Sequence, residues 1–198
     1  FSQRIYALEG YLSPNTYEIY TSATPEEIIK KLLSQTEAVF RDEWHDRADA
    51  LGMTMDQVIT LASLIEKEAK QADFARVSAV FHNRLKINMA LGSDVTIKYV
   101  TGTERMSLNN SDLSVDSPYN TYRNKGLPPG PICNPSAAAI EAALYPDETF
   151  TAQNYLYFCS KDPATGELYF SRTLEEHEAA VKIYAPLWQA YDEKTGAK

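Results

Sequence analysis

The sequence predicts an α+β fold: a helical core, a small antiparallel β-sheet, and a long ordered loop rich in Pro, Gly and Tyr. Three observations carry this expectation. Helix-start signals followed by apolar residues at helical spacing fill the first half; residues 88–135 turn to Gly, Pro, Asn, Ser and Tyr; and two β-prone runs near the C-terminus flank a turn.

In chain order, Leu8 to Tyr20 is aromatic and broken by Gly10 and Pro14, which suits an extended segment able to join the sheet. Thr24-Pro25-Glu26-Glu27 supplies an N-cap, a proline at the first helical position and a glutamate at the third, predicting a helix through about Ala50. Gly52 ends it, and Thr54 caps a second helix from Met55 to about Gln71, followed by a third from Asp73 to about Ile87. Gly126-Leu127-Pro128-Pro129-Gly130-Pro131 forbids regular helix and closes the long loop, where function commonly sits. Ala137 to Leu144 reads as a short helix stopped by Pro146. Tyr155–Cys159 and Leu168–Ser171 should pair as a hairpin across Asp162-Pro163-Ala164-Thr165-Gly166. Thr173-Leu174-Glu175-Glu176 is a capping box that opens a last helix through about Tyr191.

The 198 residues can bury one sizeable core, and a single domain over residues 1–198 is the default, although a main domain with a small lobe fits the same length. No apolar run approaches the roughly 20 residues needed to span a bilayer. The chain opens at Phe1 without a basic-then-apolar leader, so it reads as a fragment whose targeting segment, if any, lies upstream. A net charge of −8 argues against an electrostatic grip on nucleic acid or anionic lipid. Cys133 and Cys159 lack CxxC spacing and read as ordinary cysteines, with a disulfide as the alternative. His45, His82 and His177 form no HxxxH or HExxH pattern, so neither a metal nor a cofactor is expected.

The segment Leu61-Ala62-Ser63-Leu64-Ile65-Glu66-Lys67-Glu68 holds the candidate chemistry. At about 100° per residue from Met55, Glu66 falls at about 20°, inside the arc of Val58, Ile59, Ala62 and Ile65, while Glu68 at about 220° lies at its margin. Glu66 is therefore expected among apolar groups and Glu68 at the surface. A carboxyl among apolar side chains keeps its proton near neutral pH and can act as a general acid, as glycosidic cleavage requires. The alternative is an ion pair of Glu66 with Arg76 or Arg84.

Several strings together resemble the YceG-like (MltG) family of endolytic peptidoglycan transglycosylases. They are Leu8-Glu9-Gly10-Tyr11-Leu12 with Pro14 and Thr16-Tyr17, Ala62 through Glu68, Val80-Phe81-His82-Asn83-Arg84-Leu85, Ser93-Asp94, Ser117-Pro118-Tyr119-Asn120-Thr121-Tyr122, Gly126 through Pro131, Asn134-Pro135, Tyr155 through Phe158, Phe170-Ser171 and Glu176-His177. Val95 departs from the family's Ser-Asp-Pro-Thr string, which relaxes a turn without deleting a polar group.

The resemblance implies cleavage of the β-1,4 bond between N-acetylmuramic acid and N-acetylglucosamine in peptidoglycan glycan strands, leaving 1,6-anhydro ends and terminating strand growth. It places the catalytic role on Glu66. It also implies an upstream membrane anchor and a LysM-like lobe, a position on the outer face of the bacterial cytoplasmic membrane, and glycan-polymerising synthases (penicillin-binding proteins) as partners. Candidate substrate-binding residues are Asn83 and Arg84 on the third helix, Ser93, Asp94 and Thr96, and the loop residues Tyr119, Asn120, Thr121 and Tyr122. For each of these groups a structural role is the competing reading. Pro128, Pro129 and Gly130 are expected to rigidify the loop, and His177 to pack or bond locally. A non-catalytic peptidoglycan-binding module, a hydrolytic muramidase and a structural scaffold are the rival functions.

Overall fold

The computed structural model describes residues 3–197. α1 (Pro25–Val39) begins on the anticipated capping box, with Thr24 Oγ1 accepting from the Glu27 N–H. The single helix expected to reach Ala50 is divided: Phe40 and Arg41 are extended, and α2 (Asp42–Ala50) starts afresh. The break serves packing, because α1 buries only Thr36 whereas α2 turns Trp44 and Ala48 fully into the core.

α3 (Met55–Glu68) is the central element. A capping box between Thr54 and Gln57 opens it, and every residue from Val58 to Ile65 is buried. It packs against α4 (Phe74–Lys86), α5 (Asp94–Thr101) and α7 (Ala137–Leu144). A helix enclosed on all sides has no single polar face. Trp44, Leu61, Leu64, Ile65, Phe81, Tyr119 and Leu144 belong to one contiguous cluster around it.

The long loop contains α5 and the one-turn α6 (Asn110–Leu113) and is fastened internally. Asn120 donates to the carbonyls of Leu113 and Val115 at 2.9 Å each, satisfying backbone that no ladder serves. Beyond α7, Asp147 caps a short α8 (Glu148–Ala152), which the stop signal at Pro146 concealed.

β1 (Tyr157–Asp162) and β2 (Glu167–Ser171) pair antiparallel with Cys159 opposite Tyr169, as the two β-prone runs predict. The expected third contribution, from the N-terminal segment, is corrected: the described sheet has two strands. Asn134 Oδ1 accepts the N–H groups of Gly10 (2.8 Å) and Leu12 (3.0 Å), so a side chain takes the place of a neighbouring strand. Gly10 adopts φ +88°, and a Cβ there would lie 2.4 Å from Pro131, so only glycine lets these segments touch.

α9 (Leu174–Thr195) runs to a left-handed Gly196 and lies across the hairpin, with Trp188 Nε1 donating to the Ser160 carbonyl at 2.8 Å. Among the described residues no helix is long and apolar enough to cross a membrane. Cys133 and Cys159 are free thiols.

Candidate active site

A cavity of about 540 Å³ opens where the C-terminal end of α3, the start of α5, Tyr122, the hairpin and α9 converge. That volume accommodates a small oligosaccharide segment or a drug-sized ligand. Glu68, Arg84 and Asp94 supply its charged lining, with Lys67 and Lys98. Tyr122, Tyr157, His177 and Trp188 supply its flat faces.

Glu68 is held at the cavity by Ser93, whose Oγ donates to Oε1. Part of its surface faces the opening and protein encloses the rest. Desolvation pushes the carboxyl up to about 7; the Ser93 bond opposes this, the charge of Asp94 adds to it, and Lys98 and Arg84 oppose it. Near neutral pH such a group can both give and take a proton.

Asp94 opens α5, lines the same cavity and accepts a hydrogen bond from the Tyr122 hydroxyl. Burial raises its pKa, while the Tyr122 bond and Lys98 pull it down. Arg84 donates from Nε to the Leu156 carbonyl and from Nη1 to the Leu91 carbonyl, both at 2.6 Å. Its guanidinium lies over the Tyr157 ring, 5.2 Å from the centroid. Thus Arg84 ties α4 to the loop and to the strand that wall the cavity. Gly92 permits this approach, since a Cβ there would stand 3.3 Å from Arg84 Nη1 and 3.5 Å from the Tyr122 ring.

Both α3 carboxyls are half-buried, and it is Glu68, expected at the surface, that lines the cavity. Glu66 is half-buried and does not line the cavity; its Oε2 accepts from the Ser136 N–H (3.0 Å) and Oγ (2.6 Å), at the N-cap of α7. A carboxylate there meets the positive end of a helix, a structural arrangement. Neither proposed ion pair forms: Arg76 bonds Asp73, and Arg84 bonds the carbonyls. The arc measured from Met55 misleads because α3 is enclosed all round, so neighbours and not one apolar face decide what each carboxyl meets.

Of the substrate-binding candidates, Arg84, Asp94 and Tyr122 line the cavity, and Ser93 reaches it through Glu68. The others are brought nearby as scaffold. Asn83 is buried and donates to the Phe150 and Tyr155 carbonyls at 3.2 and 3.0 Å. Thr96 and Thr121 are buried, their hydroxyls 3.0 Å apart, and Thr121 Oγ1 accepts the Ser93 N–H at 2.9 Å. Tyr119 packs against Tyr99 in the core, and Asn120 is fully buried. His177 packs locally, stacked on Tyr157 with ring centroids 5.2 Å apart, and it also lines the cavity.

Glu68, Lys98, Tyr157 and Trp188 also line the cavity; the sequence placed Glu68 at the surface and Tyr157 in a strand, and assigned Lys98 and Trp188 no part in a site. The spacing of Trp188 and His177, eleven residues on one face of α9, was an available signal; which face meets the hairpin was not.

A family model for the YceG-like family matches residues 1–183. An endolytic murein transglycosylase of Bacillus subtilis is 42% identical over 179 residues, covering 89% of this chain and 48% of that protein. An endolytic murein transglycosylase of Streptococcus pneumoniae serotype 2 is 37% identical over 182 residues, covering 89% of this chain and 32% of the relative. The chain therefore spans half or less of the length of these relatives. The crystal structure of a yceG-like protein from Listeria monocytogenes superposes with a TM-score of 0.81 at 40% identity, covering 90% of this chain and 57% of that one. A match over nearly the whole chain, in both sequence and fold, establishes that the chain belongs to the YceG-like family.

Proposed function

We propose that this chain carries the catalytic site of an endolytic lytic transglycosylase acting on peptidoglycan glycan strands, with Glu68 as its acid/base. The observation that carries the reading is a carboxyl held by Ser93 at a cavity with aromatic walls, and desolvation there pushes it up to about 7. Glu68 replaces Glu66 in the role because the Glu66 carboxyl is bonded through Oε2 to Ser136 at the α7 N-cap and does not line the cavity. The names of the relatives support the substrate class.

Protonated Glu68 donates to the glycosidic oxygen as the bond from the muramyl C1 breaks. The resulting carboxylate then takes the proton of the C6 hydroxyl while O6 bonds to C1, giving the 1,6-anhydro end and returning Glu68 to its starting state. No water is consumed. Tyr122, 40% exposed, and Trp188, fixed by its bond to Ser160, offer faces for pyranose rings. In the cell this reaction would end strand elongation beside glycan-polymerising synthases, on the outer face of the cytoplasmic membrane, in a protein anchored by a segment outside this chain.

One observation favours a second reading: Glu68 and Asp94 line one cavity, and hydrolytic muramidases use two carboxyls. Mass spectrometry of digested glycan strands separates the readings. The transglycosylase releases fragments lighter by one water, with anhydro ends; a muramidase releases reducing ends, and a binding module or scaffold releases nothing.

A further inference from the structure

Two carboxyls share the cavity, and each is held by a hydroxyl from a different element: Ser93 donates to Glu68, and Tyr122 donates to Asp94. Ser93 and Asp94 are consecutive, so the segment that orients Glu68 also delivers the second negative charge. We infer that Asp94, fixed by Tyr122, is a positioning residue that acts through Glu68, its charge holding the proton on Glu68 until a glycosidic oxygen arrives. The inference rests on the transglycosylase reading and adds a group to it.

Like charges at one site cannot both ionise freely, so the better-solvated or better-bonded carboxyl ionises first and the other keeps its proton. Asp94 is the member that ionises first, because a phenol is a stronger hydrogen-bond donor to a carboxylate than the alcohol that serves Glu68. It accepts from a phenol and faces Lys98 on its own helix, and its ordinary pKa is the lower of the two. Burial raises Glu68 further, with the Asp94 charge acting in the same direction. The other charged or titratable groups facing the pair are Arg84 from α4, Lys67 from α3, Tyr157 and Cys159 from β1 and His177 from α9. Arg84 and Lys98 oppose the Asp94 effect, which makes that carboxylate the local charge that favours a protonated Glu68. Tyr122 remains a phenol throughout, its ionisation suppressed by burial and by Asp94, so its proton stays available to the Asp94 carboxylate.

The test is the pH–rate profile for anhydro-end release by the unsubstituted chain, Asp94→Asn and Tyr122→Phe. Asn keeps the shape and an acceptor for Tyr122 but removes the charge, so the alkaline limb should move down by about one pH unit, the size of a nearby like-charge effect. Tyr122→Phe leaves the charge in place and should not lower that limb. A limb unmoved in Asp94→Asn overturns the inference, as does loss of turnover at every pH, which would mark Asp94 as a direct participant. Should Asp94→Asn fail to fold, carbon-13 titration of the unsubstituted chain decides. Asp94 should titrate below Glu68, with the Glu68 carboxyl carbon registering the Asp94 step; a single isolated Glu68 step overturns the inference. An unsubstituted chain that releases no anhydro ends removes the transglycosylase reading itself, whereas anhydro ends with an unmoved limb remove only the role of Asp94.

Discussion

Substituting Glu68 by Gln should make the chain more stable at alkaline pH. The carboxyl is raised from its ordinary 4.5 to about 7, chiefly by desolvation, so the folded state holds the proton more tightly than the unfolded chain does. Stability from this group is therefore fully present below about pH 4.5 and is lost as pH rises through about 7. At about 1.4 kcal/mol per pKa unit, ionising it in the folded state costs about 3 kcal/mol. Solvent at the cavity mouth reduces the figure to about 1–3 kcal/mol. Gln keeps an oxygen for the Ser93 hydroxyl and carries no charge to desolvate. At pH 8.5 the substitution should thus raise Tm by about 2–12 °C for a domain of this size. Thermal unfolding of both chains between pH 4 and 9 measures the difference, and contributions from all other titrating groups cancel in it. A gap that vanishes near pH 4.5 and widens through neutrality is expected. A pH-independent gap, or a destabilised Gln chain at pH 8.5, refutes the claim that Glu68 is ionised at a cost, a cost of the kind functional sites often carry.

Two further substitutions test the scaffold. Ser136→Ala removes the α7 N-cap and the hydroxyl bonded to Glu66, so urea denaturation should show a loss of about 1–2 kcal/mol; an unchanged midpoint would show that the Ser136 hydroxyl contributes nothing to the α7 cap or to holding Glu66. Gly10→Ala forces a side chain into φ +88° and against Pro131, and a loss of more than about 2 kcal/mol is expected by the same measurement, with a neutral result showing that the N-terminal segment is not seated there.

Local signals in the sequence were strong where one segment decides its own structure. The capping boxes at Thr24, Thr54 and Thr173 start their helices as read, and the hairpin forms around Asp162 to Gly166. What escaped was set by distant partners. The α1–α2 break follows from where Trp44 can be buried, and the N-terminal segment forms no third strand because Asn134, more than 120 residues away, takes its N–H groups. The same cause misled the choice between carboxyls. Glu66 and Glu68 are two residues apart on a helix enclosed all round, and only the placement of Ser136 beside one and Ser93 beside the other separates them. Arg84, Asp94 and Tyr122 were recognisable as polar groups in a functional stretch, but Tyr119, Asn120 and Thr121 share that texture and serve the interior instead.

Glu68, and not Glu66, is proposed to carry the proton, and the most direct measurement of this is glycan-strand turnover by Glu68→Gln and Glu66→Gln chains prepared side by side and checked for folding. Glu68→Gln should release no anhydro ends, while Glu66→Gln, weakened only at the α7 cap, should keep most of its activity at a temperature where it is folded. Turnover surviving in Glu68→Gln and abolished in a folded Glu66→Gln chain would return the proton-carrying role to Glu66.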